Sequence, residues 1–292
     1  MQSGFCSIIG RPNVGKSTLL NALVGRKVAI TTPVPQTTRH ALRAVLHRDD
    51  AQVVFVDTPG MHKPKTLLGA RLNEVAHSTL SGVDVIVFVV DGQAGIGRGD
   101  EFIAGLLADI DTPVIAVLNK VDRIGRGAQL PQLERLAELG QWDEIVPVAA
   151  LTGEQVALLA DLIVARMPEG HPYFPRHQVT DQTPEQLAAE IIREKAITLM
   201  REEVPHSITV VVEEIVPGES QGVLAVAATL HVERDSQKGI VIGKGGAVLR
   251  EIGARARPDL ELLLGSRVYL DLRVKLAKDW QRDPHKLERL GF

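Results

Sequence analysis

Gly10-Arg11-Pro12-Asn13-Val14-Gly15-Lys16-Ser17 has the spacing G-x-x-x-x-G-K-[S/T]. Loops of this spacing wrap nucleotide phosphates in their backbone N–H groups. Phe5-Cys6-Ser7-Ile8-Ile9, before it, is an apolar run of strand length; Thr18-Leu19-Leu20-Asn21-Ala22-Leu23, after it, reads as a helix. A helix starting at the loop turns its positive dipole end toward the phosphates. Lys16 then bridges the β- and γ-phosphates, and the Ser17 hydroxyl holds Mg²⁺. Gly10, Arg11, Pro12, Asn13, Val14, Gly15 and Thr18 complete the phosphate side. A glycine-rich turn with an accidental lysine is the competing reading, and the flanking strand and helix count against it.

Two further motifs follow. Val54-Phe55-Val56-Asp57-Thr58-Pro59-Gly60 is an apolar strand ending in a carboxylate, 41 residues beyond Lys16. Asp57 is placed to hold Mg²⁺ through a water, and Thr58 and Pro59 lead to Gly60, whose N–H can approach the γ-phosphate. Asn119-Lys120-Val121-Asp122 follows another apolar strand. The Asp122 carboxylate can accept from the N1–H and the 2-amino group of guanine. Adenine has neither donor, so such a site rejects it by factors on the order of 10⁴ or more. Lys120 can lay its stem on the purine face, and Asn119 can bond the base edge and brace the loop.

Up to residue 170, strand-length runs at 5–9, 41–47, 52–56, 83–90, 113–118 and 144–149 alternate with helical stretches such as 130–139. This implies an α/β fold with a mostly parallel sheet, its ligands at the carboxyl ends of the strands. Pro168-Glu169-Gly170-His171-Pro172-Tyr173-Phe174-Pro175 breaks the pattern. A smaller α+β unit follows: a helix over 184–203, strands over 207–216 and 223–233, a helix from 247 to about 256, and a strand over 267–274.

With 292 residues, a formal charge of −3 and 45% hydrophobic residues, the composition is that of a soluble globular protein. The start Met1-Gln2-Ser3-Gly4 lacks the basic and apolar regions of a signal peptide. The most apolar stretch, 83–90, is too short to span a bilayer. Cys6 is the sole cysteine, which excludes an intrachain disulfide and suits a reducing cytosol. It reads as a buried core thiol. Residues 185–235 carry 4 Lys/Arg and 10 Asp/Glu, whereas 236–292 carry 12 and 7. The basic C-terminal stretch suits a polyanion partner.

That stretch holds Ile242-Gly243-Lys244-Gly245-Gly246. It matches the GXXG loop of KH domains, which clamps about four nucleotides of single strand. Glycines admit the sugar-phosphate backbone, while Lys238, Lys244 and Arg250 supply cations.

The three nucleotide motifs in order resemble a translation-factor-class P-loop GTPase. Pro35-Gln36-Thr37-Thr38-Arg39 is similar to that family's switch segment. The resemblance implies Thr38 as a Mg²⁺ ligand beside Ser17 and Asp57, with Thr37, Thr31 and Thr32 open alternatives. Ala149-Ala150-Leu151 stands where the family has Ser-Ala-x. Ala150 would donate its N–H to the guanine oxygen; the missing serine hydroxyl bears on loop bracing. Met61 stands where many small GTPases carry a water-orienting glutamine. In several relatives with a hydrophobic residue there, the asparagine equivalent to Asn13 helps hold K⁺; the other reading is that Asn13 only shapes the loop. The implied catalytic set is Lys16, Asn13, Thr38 and Gly60, with intrinsic hydrolysis on the order of 10⁻⁴ to 10⁻² s⁻¹.

A GTPase module followed by a type II KH arrangement resembles the Era-type GTPases over nearly the whole chain. Glu190-Ile191-Ile192-Arg193-Glu194-Lys195 and Leu287-Glu288-Arg289-Leu290-Gly291-Phe292 agree too. The implied layout is a GTPase domain over 1–170, a linker over 171–184 and a KH domain over 185–292. The implied partners are GTP and GDP, single-stranded RNA near the 3′ end of small-subunit (16S) ribosomal RNA, and the 30S subunit, whose assembly it would assist. The resemblance also implies cytoplasmic location with peripheral attachment to the cytoplasmic membrane face, and no obligate oligomer. The competing class is a switch GTPase whose last domain binds protein; some related GTPases carry a KH-like domain without the GXXG loop. A pure scaffold is disfavoured by Lys16, Ser17, Asp57 and Asp122.

Overall fold

The structure is a computed structural model that describes residues 1–32, 42–57, 67–68, 70 and 82–290. The chain forms two compact units: the first holds most residues up to Asp181, the second those from Gln182 onward together with residues 30–32 and 67–68.

The first unit is built on six strands: β1 (Gln2–Ile9), β2 (Leu42–His47), β3 (Ala51–Asp57), β4 (Val85–Asp91), β5 (Val114–Asn119) and β6 (Glu144–Val148). Their order is β2-β3-β1-β4-β5-β6, and only the β2–β3 pair is antiparallel. The expected strands are present. β1 starts earlier than its apolar run, because residues from Gln2 onward pair in register with Ala51 and its successors.

All seven residues of β4 are buried, as a central parallel strand covered on both faces requires. Val85, Val87 and Val89 point to the side of α1 (Lys16–Val24) and α4 (Val156–Val164), where Leu19, Leu20, Leu159 and Ile163 meet them. Ile86, Phe88 and Val90 face α2 (Arg98–Leu107) and α3 (Arg126–Leu139), against Ile103, Leu107 and Leu136. This is the period-2 alternation of a strand. Cys6 is buried in the same core, and burial together with the Asp84 charge pushes its thiol well above the ordinary range. It is a neutral packing residue.

The stretch read as a linker is strapped to this unit as far as Asp181. Gln52 Oε1 accepts the Tyr173 and Phe174 N–H groups at 2.6 and 3.0 Å. The Tyr173 ring lies 4.6 Å from that of Phe5. Val45 N–H donates to the Val179 carbonyl at 2.9 Å, and Arg43 N–H to Asp181 Oδ1 at 3.1 Å. These bonds satisfy the edge of β2.

The second unit contains α5 (Pro184–Leu199), α6 (Val204–Ser207), β7 (Thr209–Pro217), β8 (Val223–Val232), α7 (Asp235–Ile242), α8 (Ala247–Leu264), β9 (Arg267–Leu276) and α9 (Pro284–Arg289). β7 and β9 flank β8, antiparallel and parallel to it respectively. Ala188, Ile192 and Ala196 of α5, and Ile252, Ala256 and Leu260 of α8, form buried i, i+4, i+8 stripes in one core. Two expectations need correction, and one helix is unexpected. The helix expected to reach Glu203 stops at Leu199, since Glu202 takes a positive φ and Pro205 opens a new helix. The helix expected to end near Ala256 runs through Pro258 to Leu264. Burial of Leu260, together with Leu263 and Leu264 packed against the same core, offsets the roughly 3 kcal/mol cost of an internal proline. α7, hidden in the sequence by Gly239, is held by Gln237, whose Oε1 accepts the Glu233 and Arg234 N–H groups and whose Nε2 donates to Ser207 Oγ.

Candidate nucleotide site and nucleic-acid loop

The phosphate loop joins the end of β1 to the start of α1. Its conformation depends on glycine at two points. Gly10 has φ +151°, and a Cβ there would run into the Val89 carbonyl. Gly15 has φ +99°, and a Cβ there would strike the Asn119 amide. Lys16 is buried, and its Nζ donates to the carbonyls of Gly10 and Arg11 at 3.0 and 2.9 Å. The loop thus curls around its own lysine. Ser17 and Thr18 lie half-buried in the first turn of α1, while Asn13 is exposed with φ +65°. Pro12 is half-buried and Val14 buried beneath the loop.

The base-reading segment comes to the same end of the sheet. Asn119 ends β5 and is buried. Its Nδ2 donates to the Val14 carbonyl at 2.9 Å, and its Oδ1 accepts the Ala150 N–H at 3.1 Å. Bracing is therefore its role here, and the serine hydroxyl missing after β6 is replaced by a backbone donor. The Ala150 N–H, expected on the guanine oxygen, is spent on Asn119. Lys120, at φ +64°, donates from Nζ to the Asn13 carbonyl and to Asp91 Oδ2, both at 2.6 Å. Asp122 sits in a short 3-10 turn, exposed.

Asp57 closes β3, paired with Ile8 of β1, so its backbone lies beside the phosphate loop. Thr38, Thr37, Thr58, Pro59, Gly60 and Met61 lie outside the described residues. Thr31 is exposed and Thr32 half-buried. Motif reading misses three residues that shape the site. Asp91 anchors Lys120, and its signal is an acidic residue ending an apolar strand, as at Asp57. Asp100 pairs with Arg11. Asn21 accepts the Val28 and Ala29 N–H groups, both at 2.9 Å, and so fixes the chain as it leaves α1.

In the second unit, α7 ends at Ile242 and α8 starts at Ala247, with the GXXG loop between them. Gly243, Gly245 and Gly246 all have positive φ, at +72°, +58° and +78°. A Cβ at Gly243 would strike Val248, whereas nothing lies within 4 Å of one at Gly245. Gly245 is thus a conformational requirement rather than a steric one. Lys244 and Arg250 are exposed, Lys238 and Ile242 half-buried. Arg250 Nη1 donates to the Gly245 carbonyl at 2.8 Å. The result is an exposed cationic turn at the N-terminus of an 18-residue helix.

Comparison with known proteins places both modules. A family described as 50S ribosome-binding GTPase matches residues 5–120, and the KH domain family matches residues 203–281. GTPase Era of Mycobacterium tuberculosis (strain ATCC 25618 / H37Rv) is 52% identical over 295 residues, covering 99% of this chain and 98% of its own. A crystal structure of Era in complex with MgGDPNP and nucleotides 1506–1542 of 16S ribosomal RNA superposes with a TM-score of 0.96 at 43% identity, covering 100% of this chain and 99% of that one. An Aquifex aeolicus Era variant bound to GDP and AlF4⁻ does so with a TM-score of 0.95 at 43% identity, with the same coverage. Full-length identity at this level, with the glycine loops of both modules intact, makes the chain a member of the Era family of GTPases.

Proposed function

We propose that this GTPase is a switch that binds single-stranded RNA near the 3′ end of 16S ribosomal RNA through residues 238–250 and assists assembly of the small ribosomal subunit. The observation that carries the reading is the GXXG turn, exposed, cationic and built on three positive-φ glycines. The full-length relative holding 16S nucleotides supports it. The family named for the 50S subunit matches residues 5–120 alone and so speaks to the GTPase module.

On the nucleotide side, Lys16 and the loop N–H groups take the phosphates, and Asp122 takes the guanine edge. Ser17 lies in the first turn of α1 and Asp57 closes β3; a serine hydroxyl and an aspartate carboxylate are hard oxygen donors of the kind that suits Mg²⁺, whose shell phosphates and water would complete. Held there, Mg²⁺ would supply positive charge to the transferred phosphoryl group. We assign Thr38 as the remaining protein ligand and Asn13 as a K⁺ ligand beside the phosphates. Asn13 stands exposed at the outward bend of the loop. K⁺ there would supply the charge that an arginine finger supplies elsewhere.

We place the protein in the cytoplasm, with a fraction held peripherally on the membrane. Among the described residues no helix is long and apolar enough to cross a membrane. Depletion of the protein in cells, followed by sucrose-gradient profiling, tests the function: unprocessed 16S precursor and free subunits should accumulate. Unchanged profiles would reject the assembly role.

A further inference from the structure

Arg11 belongs to the phosphate loop, and its guanidinium is held by the segment that leads into α2. Nε lies 2.7 Å from Asp100 Oδ1, and a terminal nitrogen donates to the Gly95 carbonyl at 2.9 Å. The Asp100 side chain is fully buried, and its Oδ2 accepts the Gly97 N–H at 2.9 Å. A buried carboxylate left without its cation is strongly disfavoured, so this pair holds as a unit. The surrounding glycines are shaped to it. A Cβ at Gly99 would sit 2.6 Å from Arg11 Cδ and 3.0 Å from Cγ. The Arg11 carbonyl is in turn one of the two that hold Lys16 Nζ.

We propose that Asp100 is a positioning residue for GTP binding and hydrolysis: through Arg11 it fixes the phosphate loop and, with it, the ammonium group of Lys16. The chain Asp100–Arg11–Lys16 runs from the N-terminus of α2 to the phosphates. It is separate from the Asp91–Lys120–Asn13 chain, which ties the same loop to the base side. Loosening the Asp100 clamp should therefore speed nucleotide release without altering base choice.

The test is the dissociation rate of a fluorescent GDP analogue from the full chain, for Asp100→Asn, Arg11→Met, the double variant and Gly99→Ala. Displacing a binding loop by about 1 Å can change rates by up to ~100-fold, so each single variant is expected to release GDP about tenfold faster or more. The double variant should be no worse than the worse single one, as for partners in one interaction. Gly99→Ala separates positioning from stability. It keeps both charges and raises helix propensity in α2, yet it displaces the Arg11 stem. It should release GDP faster, with a smaller fall in melting temperature than in Asp100→Asn, which removes a charge of the buried pair. GTP should stay preferred over xanthosine triphosphate by the parental ratio in all four. Folded variants that release GDP at the parental rate, or additive effects in the double variant, would overturn the proposal. The inference rests on the phosphate loop being the GTP site, which Lys16→Ala tests separately by loss of nucleotide binding.

Discussion

The Asn119 side chain reaches the Val14 carbonyl, 105 residues away in sequence, at 2.9 Å. With its oxygen on the Ala150 N–H, both ends of the amide serve the protein. Asp122 stands exposed beyond the clasp, and it is the residue we propose for reading the guanine edge.

Asp122→Asn should accordingly shift base preference from guanine toward xanthine. A carboxylate accepts from the 2-amino group, whereas an amide can donate to a 2-oxo group. GTP binding should weaken by at least about 100-fold, less than the ~10⁴ of a fully mismatched hydrogen-bonding site because the amide keeps one acceptor oxygen, and xanthosine triphosphate binding should appear. Unchanged GTP affinity in a nucleotide titration would remove Asp122 from the site.

K⁺ should accelerate hydrolysis over Na⁺ at equal ionic strength, and Asn13→Ala should abolish the difference while GTP binding largely persists. The motive is Met61 at the water-positioning place, together with Asn13 at the exposed bend of the loop. Equal rates in the two salts would point to another source of charge.

The second unit should lose stability as pH falls. His231 on β8 has its pKa lowered, first by burial, then by Lys275; Glu213 opposes this and Arg289 adds to it. The unfolded chain takes up a proton near the ordinary histidine value of 6.5 while the folded chain resists. Stability is thus full above that value and declines from it down to the folded pKa. Trp280 is buried in this unit, so its fluorescence in a Trp142→Phe background can follow unfolding. The melting midpoint should drop between pH 7.5 and 5.5, and less so in His231→Gln. An equal drop in both proteins would assign the effect to other groups.

The sheet and the nucleotide loops were legible because each apolar run has strand length and each motif sits at a strand's carboxyl end. Less legible were features decided by tertiary packing. Pro258 looks like a stop, but Leu260, two residues on, is buried and keeps α8 going. Gly239 looks like a break, but Gln237 caps α7 from within. Asp91 and Asp100 lie outside every nucleotide motif, and only the folded chain brings them to Lys120 and Arg11. The strap of 173–181 along β2 and β3 depends on Gln52, a single polar residue inside a strand.

The RNA loop carries the central claim. Lys244→Asp with Gly245→Asp would place two carboxylates where one cation faced the phosphates. Gly245 has open space around it, and aspartate tolerates its left-handed backbone better than most residues, so the turn should survive. The measurement is fluorescence anisotropy of a labelled RNA spanning 16S nucleotides 1506–1542, titrated with the full chain and with this double variant in the presence of a GTP analogue. A thermal melt checks that the variant is folded. The parent should bind, the folded double variant should lose at least about tenfold in affinity, and GTP hydrolysis without RNA should be unchanged. A folded double variant that binds this RNA with parental affinity would contradict the account and favour a protein-binding role for the second unit.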